Sequence, residues 1–230
     1  MWRSIAFFKP YGVLSSFTHE QQTERATHLP EAAAARRTLS EFGLPKGVYA
    51  AGRLDYDSEG LLILSNNGYF IHRLTDPRYK LPKTYLVQVE GIPDEAALEQ
   101  LRRGVTIRGY RTLPCQARAL DGAPELPPRS KPITPHGPTA WLEIVLREGK
   151  KRQVRHMTAA VGLPTLRLVR VAIGPVTLAG LAPGQWRDLS QPELDSIIGA
   201  NSTSRSHPSS PTPKRRRKAS FKPTSRSQSL

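Results

Sequence analysis

Cysteine is almost absent: Cys115 is the only one in 230 residues. One thiol can build neither a disulfide framework nor a thiolate metal cluster, which predicts a reducing, cytoplasmic setting. Long apolar runs are missing too. Stretches such as residues 61–64 are far too short to span a bilayer, so no membrane partner is expected. The opening segment MWRSIAFFKPYG holds no apolar stretch long enough for a secretory signal. Acids are scarce, 19 Asp and Glu against 34 Lys and Arg, leaving a net charge of +15. A polycation of this kind attracts polyanions, nucleic acid first.

Beyond residue 199 the acids vanish altogether. Eight basic residues lie there, among them the run PKRRRK, which leaves +7 for residues 1–199. The segment is rich in Ser, Pro, Lys and Arg and nearly free of large apolar groups, so burial cannot offset its ordering entropy. The sequence therefore divides into a folded part, 1–199, and a disordered basic tail, 200–230. The tail reads as a non-specific RNA arm working through counterion release, or simply as a solvated charged segment. PKRRRK also resembles a nuclear import signal, a weaker reading because short basic runs are common in such tails.

Within 1–199, strands and helices are interspersed. Residues 4–8 form a β-prone run ended by the turn Lys9-Pro10-Tyr11-Gly12. Residues 18–37 are polar and Ala-rich and read as a loop with one helical turn. Short apolar runs at 48–51 and 61–65 suit buried strands, with NNG (66–68) as a turn after the second. KTYLVQVEG alternates Tyr85, Val87 and Val89 with Leu86, Gln88 and Glu90, a half-buried strand. Pro93-Asp94 opens a helix with Ala97, Leu98 and Leu101 on one face and Gly104 as its stop. Six prolines mark 124–138 as a long surface loop. Residues 141–146 return to strand, and 150–161 read as a helix with Val154, Met157 and Val161 on one face. Further strands are expected at 166–173 and near Val176, then a capping box Ser190-Gln191-Pro192-Glu193 for a last helix. The strand-turn-strand links argue for an α+β fold with mainly antiparallel pairing.

The stretch GRLDYDSEG (52–60) raises a chemical question, since Asp55, Asp57, Glu59 and Gly60 imitate the first half of a calcium loop. The imitation stops there. Position 12 of such a loop falls on Asn66, which cannot bind through a bidentate carboxylate, and residues 61–64 are apolar where ligands should continue. What remains is a turn leading into a buried strand, with Asp55 beside Arg53. On the residues alone this is a solvated turn or one carboxylate held for chemistry.

Five blocks decide between these: KPYGVLSSF (9–17), GVYAAGRLDYDSEGLLILSNNG (47–68), KTYLVQVEG (83–91), LREGKKRQVRHMTAAVGLPTLRLVRVAIG (146–174) and GLAPGQWRDL (180–189). In this order they resemble the RsuA-like branch of RNA pseudouridine synthases over nearly all of residues 3–190. The resemblance implies a two-lobed catalytic fold with a mixed, mainly antiparallel sheet and a central RNA-binding cleft. Many relatives carry an N-terminal S4 domain, and this sequence starts directly with the catalytic part. The implied reaction turns a uridine of ribosomal RNA, of the large subunit, into pseudouridine, with no metal and no organic cofactor, in a protein expected to be a monomer.

Asp55 matches the family's catalytic aspartate. A carboxylate suits glycosidic chemistry because it can attack a carbon centre or face an oxocarbenium-like ribose. It must be ionised, and Arg155 of RQVRHM matches the basic residue that pairs with it. Tyr85 matches the active-site tyrosine whose ring packs on the flipped uracil, although an aromatic in an alternating strand is usually core. Leu168 is a candidate apolar floor for the base. Arg53, Lys9, Arg152, Arg167 and Arg170 are candidates for contacts to the RNA backbone. His156 stands where relatives often carry arginine or lysine, which implies a weaker phosphate contact at neutral pH, and Tyr56 stands where they often carry a charged group, which bears on target preference. Two further readings stay open: a non-catalytic rRNA-binding or ribosome-assembly protein, and a glycosidase using Asp55 with Glu59.

Overall fold

The computed structural model describes residues 2–18 and 36–199. The expected helical turn within 18–37 and the expected disordered tail from 200 therefore lie outside the described residues, save the flanks of the former. Strands β1 (Ser4–Lys9), β2 (Tyr49–Ala50) and β3 (Glu59–Ser65) build one half of a nine-stranded sheet with β11 (Trp186–Asp188). The other half comprises β4 (Lys83–Glu90), β7 (Gln116–Ala119), β8 (Thr139–Leu146), β9 (Thr165–Ile173) and β10 (Val176–Thr177). The main path runs β11-β1-β3-β9-β4-β8-β7, with β2 on β3 and β10 on β9. A separate hairpin pairs β5 (Thr106–Ile107) with β6 (Tyr110–Arg111).

Every residue of β1 and β3 is buried. Their alternation sorts the side chains onto two faces, each of which carries its own core. Ile5, Phe7, Leu62 and Leu64 pack with Leu39, Val48 and Leu54, whereas Ala6, Leu61 and Ile63 pack with Phe70, Leu74 and Ile197. That is why these strands read as continuous apolar runs. A third core fills the other half, where Tyr85, Val87 and Val89 meet Leu142, Ile144, Leu98 and Met157. Each fully buried Leu, Ile or Phe contributes about 1.5–3 kcal/mol.

Helices cover these cores. In α2 (Glu95–Arg103), the Asp94 side chain caps the N-terminus by accepting from the Ala97 N–H at 2.7 Å. At its other end Gly104 has φ +85°, and a Cβ there would lie 2.3 Å from the Thr112 carbonyl. Helix α4 (Gln191–Gly199) opens where the expected capping box stands, the Ser190 N–H and hydroxyl donating to the Glu193 carboxylate at 2.8 and 3.0 Å. Helix α3 (Gln153–Ala160) buries Val154 and Met157 but starts later than the sequence suggests, because Arg152 is left-handed, φ +53°.

Two differences from the sequence reading are substantial. NNG is not just a turn: Asn67 caps α1 (Gly68–Thr75), its Oδ1 accepting from the Phe70 N–H at 3.1 Å. Buried Arg73 of α1 then donates to the carbonyls of Ile197 and Ile198 at the end of α4. The second difference is one parallel pairing in an otherwise antiparallel sheet, β3 to β9, through Glu59–Val169 and Gly60–Arg170. These two pairs join the halves that form the two lobes. No helix among the described residues is long and apolar enough to cross a membrane.

Candidate active site

The site sits where the halves meet. Tyr85 of β4 lies opposite Arg170 of β9, and Val87 opposite Leu168. The period of two puts Tyr85, Leu168 and Arg170 on one face, where they line a cleft of about 550 Å³. Tyr85 and Leu168 are 8% and 5% exposed, so they belong to the core and to the cleft wall at once. No hydrogen bond is made by the Tyr85 hydroxyl among the described residues.

Asp55 enters from the loop between β2 and β3. That loop is pinned on both sides: Ser15 Oγ donates to the Leu54 carbonyl at 2.8 Å and accepts from the Leu54 N–H at 3.0 Å. Beyond Asp55, the Gly12 N–H donates to the Tyr56 carbonyl at 2.9 Å, and the Ser58 N–H closes a turn on the Asp55 carbonyl at 3.1 Å. Backbone demands are thus met by neighbours, and the Asp55 carboxylate, one-third exposed, lines the cleft.

The arginines differ from expectation. The pairing of Arg155 with Asp55 is corrected: Arg155 Nη2 donates to the Asp57 carbonyl at 2.7 Å and stands 3.4 Å from its Oδ2. Arg152 holds Asp57 with both Nη atoms at 2.9 Å and places Nη1 3.9 Å from Asp55 Oδ2. Arg152 precedes the first turn of α3 in a left-handed conformation, so it stands outside the helix that the sequence suggested over 150–161. Burial alone would raise the Asp57 carboxyl; the Arg152 hydrogen bonds and the charges of Arg155 and Arg152 hold it below the usual range. Burial pulls the Arg155 guanidinium below its usual value, against the opposing pull of Asp57.

Three other expected backbone contacts are corrected. Lys9 is fully buried, its Nζ donating to the carbonyls of Val13 at 2.7 Å and Pro10 at 3.0 Å. Burial lowers its ammonium to about 7, with Glu59, Asp57 and Asp55 pulling the other way. Arg167 is bidentate on buried Glu59, both contacts at 2.9 Å, and donates to the Pro127 carbonyl at 2.8 Å. Arg170 is 4% exposed, with Nε on the Leu61 carbonyl at 2.8 Å. None of these side chains can reach a phosphate outside the cleft. The same contacts dispose of the calcium resemblance, since Asp57 and Glu59 spend their charge on different arginines. Among the described residues, no three or more His, Cys, Asp or Glu are grouped to hold a metal ion.

Arg53 alone of the expected contacts stands exposed on the lining, and four cations that the sequence reading passed over join it: Lys80, Arg147, Lys150 and Lys151. The last three sit in LREGKKRQVR, where their density was the available signal.

The family model described as RNA pseudouridylate synthase matches residues 4–160. The chain belongs to this family. The ribosomal large subunit pseudouridine synthase E of Xanthomonas campestris pv. campestris is 57% identical over 181 residues, 78% of this chain and 91% of the relative. That of Vibrio vulnificus is 48% identical over 190 residues, 82% and 75% of the two chains. A crystal structure of a pseudouridylate synthase superposes with a TM-score of 0.68 at 25% identity, covering 86% of this chain and 74% of the other. The family match takes in Asp55, Tyr85, Arg152 and Arg155, but ends before β9, which brings Leu168 and Arg170. This pseudouridine synthase thus builds its cleft partly from residues beyond the matched segment.

Proposed function

We propose that the chain isomerises a uridine of large-subunit ribosomal RNA to pseudouridine, working as a monomer in the cytoplasm, with Asp55 as the acting carboxylate. The substrate class rests on the names of its relatives. The observation that carries the chemistry is the Asp55 carboxylate in a cleft floored by Tyr85 and Leu168, with Arg152 3.9 Å away. A uracil ring fits the apolar floor, which leaves C1′ facing Asp55. The carboxylate then takes up C1′ or stabilises its positive character while the C1′–N1 bond breaks. The ring turns, C5 bonds to C1′ and loses its proton, and N1 gains one. Substrate and product are isomers, so no group or electron has to be supplied.

A base paired inside RNA cannot reach this floor, so the uridine is everted at a cost of a few kcal/mol. Arg53, Lys80, Arg147, Lys150 and Lys151 are available to hold the flanking phosphates and fix register. The test incubates wild-type protein and Asp55→Asn with rRNA carrying tritium at uridine C5. Release by wild type alone supports the reading. Release by both removes Asp55 from the chemistry, and release by neither favours a non-catalytic rRNA-binding protein.

A further inference from the structure

Two buried charges at the cleft, Glu148 and Arg170, are left unused by the scheme above; the Glu148 carboxylate accepts from Tyr110, Gln153 and the Leu113 N–H, whereas Arg170 is not fully partnered. The Arg170 Nε is fixed on the Leu61 carbonyl, so the guanidinium plane is set by β3. Its Nη2 is buried without any hydrogen-bond partner, and among the described residues the guanidinium makes no hydrogen bond besides that of Nε. Leaving a buried charged donor unpaired is costly, and an acceptor that arrives with the substrate removes the cost. Arg170 shares its face with Tyr85 and Leu168, the two side chains proposed to meet the base. Phosphates have other cations, exposed at Arg53, Lys80, Arg147, Lys150 and Lys151. An acceptor entering as deep as Arg170 has to belong to the base itself.

Resting on the function proposed above, we propose that Arg170 is a catalytic residue that donates to a carbonyl oxygen of the everted uracil and stabilises the leaving base. When the C1′–N1 bond breaks, its electron pair departs with N1, and the negative charge spreads through the ring onto the carbonyl oxygens. A fixed guanidinium in a site shielded from water binds that anion more strongly than the neutral base, which is the condition for raising the rate. The charge of Arg170 is felt at the cleft: it lowers the neighbouring Lys83 ammonium, after the larger effect of that group's burial.

The experiment compares wild type, Arg170→Ala and Arg170→Lys by thermal melting, by filter binding to rRNA, and by single-turnover tritium release at saturating RNA. Arg170→Ala is expected to lose about 100- to 1000-fold in release rate, the usual cost of one donor to a developing anion. Its RNA affinity should stay within about threefold of wild type, since the interaction forms in the transition state. Added guanidinium ion should restore part of the rate. Should Arg170→Ala unfold, a folded Arg170→Lys is expected to show the same split of slow release and normal affinity. Wild-type release rates in the variants overturn the proposal. So does a loss of affinity that accounts for the whole effect, which marks a phosphate contact, or a slow folded Arg170→Ala that guanidinium does not restore. If wild type itself releases no tritium, the preceding function fails rather than the role of Arg170.

Discussion

Asp55 and Asp57 stand two positions apart on one turn and meet different fates. Asp57 is held by Arg152, just ahead of α3, and by Arg155 within it, while Asp55 shares only the edge of Arg152 and keeps an open side toward the cleft. Spacing in the sequence showed that an acid would be available here, and the Gly-Arg-Leu-Asp block singled out Asp55. It could not show which arginine meets which acid, because that depends on where α3 begins. Lys9 and Arg167 were misread for a related reason: a sequence displays charge but not the carbonyls and carboxylates that neutralise it. Two outcomes follow at this scale. Removing one partner of the buried Arg167–Glu59 pair strands the other, so Glu59→Gln should cost about 3–5 kcal/mol in denaturant unfolding. Lys9 should give a pH signature. Its ammonium sits at about 7 when folded against an ordinary 10.5, so between these values the unfolded chain binds more protons, and stability rises with pH. The stability of wild type relative to Lys9→Met should therefore climb from pH 7 toward 10.5 and be flat below 7. A difference independent of pH would show that Lys9 keeps its ordinary affinity for protons.

Elements were legible in proportion to how far local chemistry alone determines them. β4 was readable from its alternation, α2 from Asp94 and Gly104, and α4 from its capping box. Helix α1 was hidden because Asn66-Asn67-Gly68 is equally good chemistry for a turn, and only Phe70 and Leu74 packing beneath β3 favour continuation into a helix. The parallel pairing of β3 with β9 was hidden as well, since nothing in either strand names a partner more than 100 residues away. Gly60 is its local signature. The residue has φ +109°, and a Cβ there would lie 2.3 Å from the Arg170 carbonyl and 2.6 Å from its nitrogen. Gly60→Ala should then destabilise the protein by about 3 kcal/mol or more and depress tritium release out of proportion, because the strand that carries Arg170 must retreat. Gly149→Ala is the matched control: its backbone is not left-handed and no atom lies within 4 Å of the added methyl, so its stability should stay within about 0.5 kcal/mol of wild type. Equal melting of the two variants would argue against close contact at Gly60.

At the scale of the whole molecule, charge was the most legible property. The excess of Lys and Arg pointed to nucleic acid, and five exposed cations surround the cleft. Residues 200–230 add eight more cations without an acid. Their deletion should leave melting and single-turnover release unchanged, weaken rRNA binding most at low salt, and flatten the dependence of log affinity on log salt concentration. Identical salt slopes for both lengths would mean that the tail takes no part in binding.

The seam of two residue pairs between β3 and β9 carries a further consequence for how the protein is made. Asp55 and Tyr85 are translated early, whereas Leu168 and Arg170 come after the chain has passed Leu163. A nascent polypeptide still short of that point has the acid and the aromatic ring but no opposing strand to face them. Competence for chemistry should switch on late in synthesis, when the final third of the folded part has left the exit tunnel.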